Sequence, residues 1–341
     1  MLMVIFGAGA SYDAVPALPA PQRHPDRMPL GDELFGDRRD FTTAMDQFPA
    51  CKPIIPRLRL AQPGSGWVEQ ALEQFQAEAA DHPPRHQQLA AIRFYLQVML
   101  HRVQLAWEVS FAHGITSYRT LLDQIGRWRS RYQRVCLVTF NYDTMLENSL
   151  DVVGLRLGTL DDYVRHDVYS VIKVHGSIDW VHDVNTPLEA TASRDPTRVA
   201  TELIERAAEL DISRAYRRVP VGTYGLLTTE MPDQPIFPAV AIPVSTKSFE
   251  CPEDHLRVLQ DLIPQVTRLL IIGWRGTESH FIDMLRALRA PHATVVSGSR
   301  DYAQQVVARL KGERLSGRYN AVDGGFTDFV TRGAADEFLG R

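Results

Sequence analysis

The sequence predicts an α/β fold, a mostly parallel sheet with helices on both faces and a large helical block. Three observations predict it. Apolar runs of strand length at 3–6, 135–140, 269–272 and 293–296 lack polar alternation, as strands buried on both faces do. In the last third these runs alternate with helical patterns, the signature of strand–helix–strand units. Each run also ends in a cluster of small or polar residues, at the strand edge where open α/β sheets hold ligands.

In chain order, residues 3–6 read as a buried first strand running straight into Gly7-Ala8-Gly9-Ala10-Ser11. Pro16, Pro19, Pro21, Pro25 and Pro29 then forbid regular helix and predict an ordered loop lying over something. A short helix opens at Gly31. From 67 to 131 Ala, Gln, Leu and Glu dominate, and helices are expected at 67–81, 86–112 and 116–131. In the second, Leu89, Ile92, Leu96, Met99, Val103 and Ala106 form an amphipathic stripe. That block reads as a packing layer, with an oligomerisation or partner surface as the alternative.

The strand at 135–140 is followed by Asn141-Tyr142-Asp143 and a helical pattern at 144–150. A run at 168–174 ends in His175-Gly176. The stretch 181–235 is irregular apart from a helix near 199–210, and Pro238 weakens a strand at 236–242. The strand at 269–272 ends in Gly273-Trp274-Arg275-Gly276, with a helix at 279–288. The strand at 293–296 ends in Ser297-Gly298-Ser299, with a helix at 302–310. The chain reads as one domain, 1–341, carrying a helical insertion at 67–131 and an irregular one at 181–235.

Composition narrows the class. At 341 residues, 45% hydrophobic and 23% charged, the chain matches an ordinary soluble globular protein. No apolar run approaches the roughly 20 residues that span a bilayer. The opening residues have no basic stretch before the apolar one, so no secretory signal is read there. A cytoplasmic protein without a membrane partner is expected. Thirty-seven basic against 41 acidic residues give a net charge of −4, which argues against dedicated nucleic-acid binding. Cys51, Cys136 and Cys251 are far apart and form no Cys-x-x-Cys pair, so no metal site is expected.

Four strand ends carry candidate chemistry. Gly7-Ala8-Gly9 is either an ordinary tight turn or a place where backbone N–H groups meet a pyrophosphate. Tyr12 stands where a dehydrogenase fingerprint needs its third glycine. In Thr139-Phe140-Asn141-Tyr142-Asp143, Asn offers a donor and an acceptor and an ionised Asp only acceptors. The pair suits ribose hydroxyls and a carboxamide, or it caps the following helix. His175 is either a general base at a ligand or a satisfied polar residue, and Gly176 leaves room beside it. The loop Gly273-Trp274-Arg275-Gly276-Thr277 could line a ribose. P-loop and nucleophile-elbow motifs are absent.

Together and in this order, the segments 7–11, 139–143, 175–176, 273–277 and 296–299 resemble the SIR2-like family, in its bacterial branch. The segment from Arg27 to Phe35 resembles the proline-to-leucine pattern that follows the first loop there. The resemblance covers most of residues 3–300. It implies a Rossmann-like sheet with NAD+, as substrate, at the carboxyl edge. The segment Gly7, Ala8, Gly9, Ala10 and Ser11 would cradle the pyrophosphate. Asn141 would position water or the nicotinamide ribose, Asp143 would hold the carboxamide, and His175 would act as general base, with Gly176 beside it. Gly273, Trp274, Thr277 and Ser297 would hold the adenosine half.

This chain departs from the protein-deacylating members. It cannot build their four-cysteine zinc module. Phe140 replaces the usual Gln, Tyr142 replaces Ile, and His24-Pro25-Asp26-Arg27 only echoes the early Ile-Pro-Asp-Phe-Arg. The departures point to the branch that hydrolyses NAD+ in antiphage defence, releasing nicotinamide and ADP-ribose. Such an enzyme implies silencing in healthy cells, with a homo-oligomer through the helical insertion, a regulatory protein or a phage trigger as the expected partners. The alternatives are a non-catalytic NAD+ or ADP-ribose sensor, and an NAD+-dependent deacylase or ADP-ribosyltransferase.

Overall fold

A computed structural model describes the chain except residues 20–21, 23, 61–65, 130–132, 194, 220–233, 245–248 and 341. Among the described residues the strands are β1 (Leu2–Phe6), β2 (Val135–Thr139), β3 (Tyr169–Lys173), β4 (Gly176–Asp183), β5 (Arg217–Arg218), β6 (Ile236–Val240), β7 (Arg268–Ile272), β8 (His292–Val296) and β9 (Arg318–Val322). The chain divides into two compact units. The first comprises Met1–Met28, Ala106–His175 and Cys251–Arg341, and the second Pro29–Leu105 and Gly176–Glu250.

The first unit is built on a six-stranded sheet in the order β3-β2-β1-β7-β8-β9. Every neighbouring pair is parallel, with unbroken register. Ranked by chain position, this is 3-2-1-4-5-6, the doubly wound Rossmann-like order, which reverses between β1 and β7. The expected fold class is therefore the observed one. All residues of β1 and β2 are buried. A strand sealed on both faces needs continuous hydrophobicity, which is why those runs were legible.

Differences follow from weaker patterns. The segment 7–11, read as a turn, enters the helix Ala8–Tyr12 directly from β1. Thr144 to Leu150, read as helix, yields a 3-10 segment at Glu147–Val153. β9, with the helices Gly325–Thr331 and Ala334–Gly340 behind it, had no reading. It is an edge strand of half-exposed residues and carries no apolar run. Pro21 lies outside the described residues, and the described part of the proline-rich loop is held by Arg27, which is buried. Its guanidinium donates to the carbonyls of Tyr12 (2.6 Å), Leu18 (2.7 Å) and Gln22 (2.7 Å) and lies over the rings of Tyr12 and Trp107.

The second unit holds the helix Trp67–Glu78, most of the helix Pro84–Trp107, and an antiparallel sheet in the order β5-β4-β6. Pro238 is tolerated because β6 is an edge strand whose register with β4 shifts between Gly176 and Val181. Inside this unit Glu250 is held by Arg93 (2.9 Å) and by Nε2 of His182 (2.8 Å). Burial alone would raise the carboxyl, but the His182 hydrogen bond and the Arg93 charge outweigh it and hold it down at about 2. A carboxyl lower in the folded than in the unfolded chain stabilises the fold above its ordinary value near 4.5. That contribution is lost as pH falls from there toward 2. Urea unfolding of wild type and Glu250→Gln should therefore differ at pH 7 and converge as pH drops through this window. A constant gap would contradict the assignment.

No helix among the described residues is long and apolar enough to cross a membrane. All three cysteines are buried and none forms a disulfide, and burial pushes the Cys51 and Cys136 thiols up to about 12, which keeps those two unreactive.

Candidate active site

The carboxyl ends of β1, β2, β3 and β7 bring the sequence-selected residues of the first unit together. The closest approach is between the β1 and β7 ends, where the strand order reverses. A Cβ on Gly7 would lie 2.5 Å from the Gly273 carbonyl oxygen, and one on Gly273 would lie 2.4 Å from the Ala10 nitrogen. Gly273 also has a φ of +62°. These glycines face each other's backbone. The Gly7 N–H donates to Ile272 O (2.9 Å), the Gly9 N–H to Gly273 O (3.1 Å) and the Ala10 N–H to Gly7 O (2.8 Å). Three N–H groups of the segment are thus committed to backbone, while that of Ala8 has no partner among the described residues. The small residues are required first of all for this junction.

At the end of β2, the Thr139 hydroxyl accepts the Asn141 N–H (3.0 Å), which turns the chain and lifts the Asn141 side chain over the helix Ala8–Tyr12. Asn141 Nδ2 donates to Ser11 Oγ (2.8 Å) and Tyr118 Oη (3.1 Å), and those hydroxyls lie 2.9 Å apart. All three side chains are buried. Tyr118 is carried on the helix Ser117–Trp128, whose start is tied down by the Ser117 N–H to Ala14 O (2.7 Å). Sequence reasoning missed Tyr118, since an aromatic in a first helical turn carries no signal of its own.

Asp143 behaves differently from its neighbour. Its Oδ1 accepts the Met145 N–H (3.1 Å), so Asp143 caps the turn that follows while Asn141 does not. The capping alternative read from the motif is thus met by Asp143. Behind them Lys173, the last residue of β3, is fully buried. Its ammonium donates to the Asp143 carbonyl oxygen (2.5 Å) and pairs with Glu147 (2.8 Å), which also accepts from the Tyr163 hydroxyl (3.3 Å). A lysine inside an apolar run was the signal for this pair, because a charge in a doubly buried strand must find a partner.

Phe140 organises the remaining loops. Trp274 stacks on its ring (5.1 Å, 18°), while Phe281 (5.0 Å, 88°) and the half-buried His175 (5.1 Å, 85°) meet it edge-on. Tyr142 also lies along His175 (6.1 Å, 28°). The Trp274 side chain is buried in this cluster, and its Nε1 donates to Glu278 Oε2 (2.7 Å), which also accepts the Thr277 N–H (3.0 Å). Burial pushes the Glu278 carboxyl up. Trp274 and Thr277 thus shape the loop after β7.

At the end of β8, Ser297 is half-buried, its N–H donating to Val322 O (3.1 Å) and its carbonyl accepting the Gly325 N–H (2.9 Å). Gly176 belongs to the second unit. A Cβ there would lie 1.9 Å from the Ala239 carbonyl oxygen, so its pairing with β6 already demands a glycine.

No family model and no curated protein matches the chain. Solved structures similar to it include three Sir2 or sirtuin structures. One, described by the structural basis for the mechanism and regulation of Sir2 enzymes, is 10% identical over 100% of this chain and 92% of that one, with a TM-score of 0.41. A second, a Sir2 variant with a deacetylated p53 peptide and 3'-O-acetyl ADP ribose, is 10% identical over 99% and 94%, with a TM-score of 0.42. A third, on the structural basis of sirtuin substrate affinity, is 13% identical over 97% and 93%, with a TM-score of 0.36. The fold rests on strand order and register, independently of these likenesses.

Proposed function

We propose that the protein is an NAD+ glycohydrolase, cleaving the bond between nicotinamide and ribose to give nicotinamide and ADP-ribose. One observation carries the reading. Asn141 is fixed by Ser11 and Tyr118 at the carboxyl edge of the sheet, beside the point where strand order reverses and dinucleotides bind in such folds.

The chemistry suits these groups. The nicotinamide of NAD+ is a pyridinium and leaves as a neutral molecule, so no general acid is needed. The barrier lies in the cationic, oxocarbenium-like ribose. Prepositioned polar groups stabilise such charge without reorganising. Asn141 holds water or a ribose hydroxyl, and His175 at the end of β3 takes a proton from it. Asp143 keeps its second oxygen for the carboxamide. The pyrophosphate lies along the junction of the Gly7–Ser11 segment with Gly273, and the adenosine half reaches toward Thr277 and Ser297.

In the cell this activity would deplete NAD+ during phage infection, held silent until then by self-association through the helices between 67 and 131 or by a regulatory partner. The test is nicotinamide release from NAD+ by purified protein, followed by chromatography, with His175→Ala in parallel. Wild type should release nicotinamide, and His175→Ala should be slowed about 10²- to 10⁴-fold, the usual contribution of a positioned general base. NAD+ binding without release at any protein concentration would favour the sensor. Transfer of ADP-ribose or removal of an acyl group would favour the transferase or deacylase.

A further inference from the structure

Asn141 could turn either end of its amide toward Ser11 and Tyr118, and three distances decide which. Nδ2 lies 2.8 Å from Ser11 Oγ and 3.1 Å from Tyr118 Oη, and the hydroxyl oxygens are 2.9 Å apart. Three hydrogen bonds need three hydrogens. With Nδ2 inward, the amide supplies two and one hydroxyl supplies the third. With Oδ1 inward, only the two hydroxyl hydrogens serve three contacts. Two oxygens would then face each other in a buried site with nothing between them.

The first arrangement therefore holds, with two consequences. Asn141 Oδ1 points away from the triangle as an acceptor, with no partner among the described residues. Of the four hydrogens on these groups, three are used and one hydroxyl hydrogen is left over. Burial, and then the negative charge of Asp143, push the Tyr118 phenol well above its usual range, so it stays a donor throughout the working pH range.

We propose that Tyr118 is a positioning residue of this site: with Ser11 it locks the Asn141 amide so that Oδ1 faces the ligand. The locked triangle keeps one hydroxyl hydrogen for an oxygen of that ligand. A group whose single oxygen both donates to Oδ1 and accepts the remaining hydrogen is a water molecule or an alcohol. Naming it as the attacking water or a ribose hydroxyl rests on the NAD+-cleaving reading, whereas the lock itself does not.

Tyr118→Phe is the test. The ring keeps its packing against Phe6 (5.1 Å) and Phe326 (5.2 Å) and loses only the hydroxyl. The first readout is the Asn141 side-chain amide pair in a nitrogen-15 NMR spectrum, assigned as the pair missing from Asn141→Ala. In Tyr118→Phe these signals should shift and exchange with solvent at least tenfold faster. The second readout is turnover, where kcat should fall tenfold or more while the KM for NAD+ stays within twofold. An unchanged amide pair overturns the lock, whether or not the protein cleaves NAD+. An unchanged kcat in a protein that does cleave NAD+ overturns the positioning role. If wild type cleaves no NAD+ and the amide pair still responds, the lock stands and the NAD+ reading is what falls.

Discussion

Nicotinamide release by Asn141→Ala is expected to be slower than wild type by about 10²- to 10³-fold, the usual consequence of removing one prepositioned polar group from a charged transition state. The expectation comes from how Asn141 is built in. Its backbone N–H is held by Thr139 and its amide by two buried hydroxyls, so its oxygen waits in place before any ligand arrives. A group that need not reorganise stabilises developing charge more than a mobile one. The fold should survive, because the change removes a small side chain at a loop and leaves β2 intact. Circular dichroism and single-turnover kinetics on the same sample check both halves. Equal rates in wild type and variant would assign the chemistry to another site or to a contaminant.

The largest loss of stability is expected from Lys173→Met. The wild-type ammonium is fully buried, faces the Glu147 carboxylate at 2.8 Å, and donates to the Asp143 carbonyl oxygen. Removing it takes the Lys173 cation away from a buried carboxylate. Breaking one side of a buried pair costs about 3–5 kcal/mol. Replacing both charges together, as Lys173→Met with Glu147→Leu, should recover much of that, because a well-packed apolar pair carries no desolvation penalty. Urea unfolding of the two variants measures the difference. Equal losses in single and double variants would show that the pair is not what stabilises this corner. The single variant also frees the Asp143 carbonyl, so its activity should fall further than its stability alone explains.

These two residues show what was legible in advance. The sheet was, because parallel strands sealed on both faces need unbroken apolar runs, and 135–139 and 269–272 have no other good explanation. The place of Asn141 was, as a polar residue leaving such a strand at the sheet's carboxyl edge. Its partners were not. Tyr118 comes from a helix start more than a hundred residues from Ser11, and only the folded chain brings their hydroxyls within 2.9 Å. The glycines were legible as special but not in purpose. A glycine needed for ligand approach and one needed because two backbones touch look identical in sequence. Gly7, Gly176 and Gly273 are required by backbone contact, whatever else they permit. Phe140, noted only as a substitution within a motif, is the ring on which three strand ends meet.

The position of β1 also has a consequence for synthesis on the ribosome. Leu2 pairs with Val135 on one side and with Arg268 on the other. At roughly 5–20 residues per second, the first partner emerges on the order of ten seconds after β1, and the second on the order of twenty seconds or more after it. Until the first partner emerges this buried apolar strand has two open edges, and until the second it has one. Nascent chains of this protein should therefore engage chaperones early, and truncations ending before β7 should aggregate even though they contain β1, β2, β3 and the helices between β1 and β2.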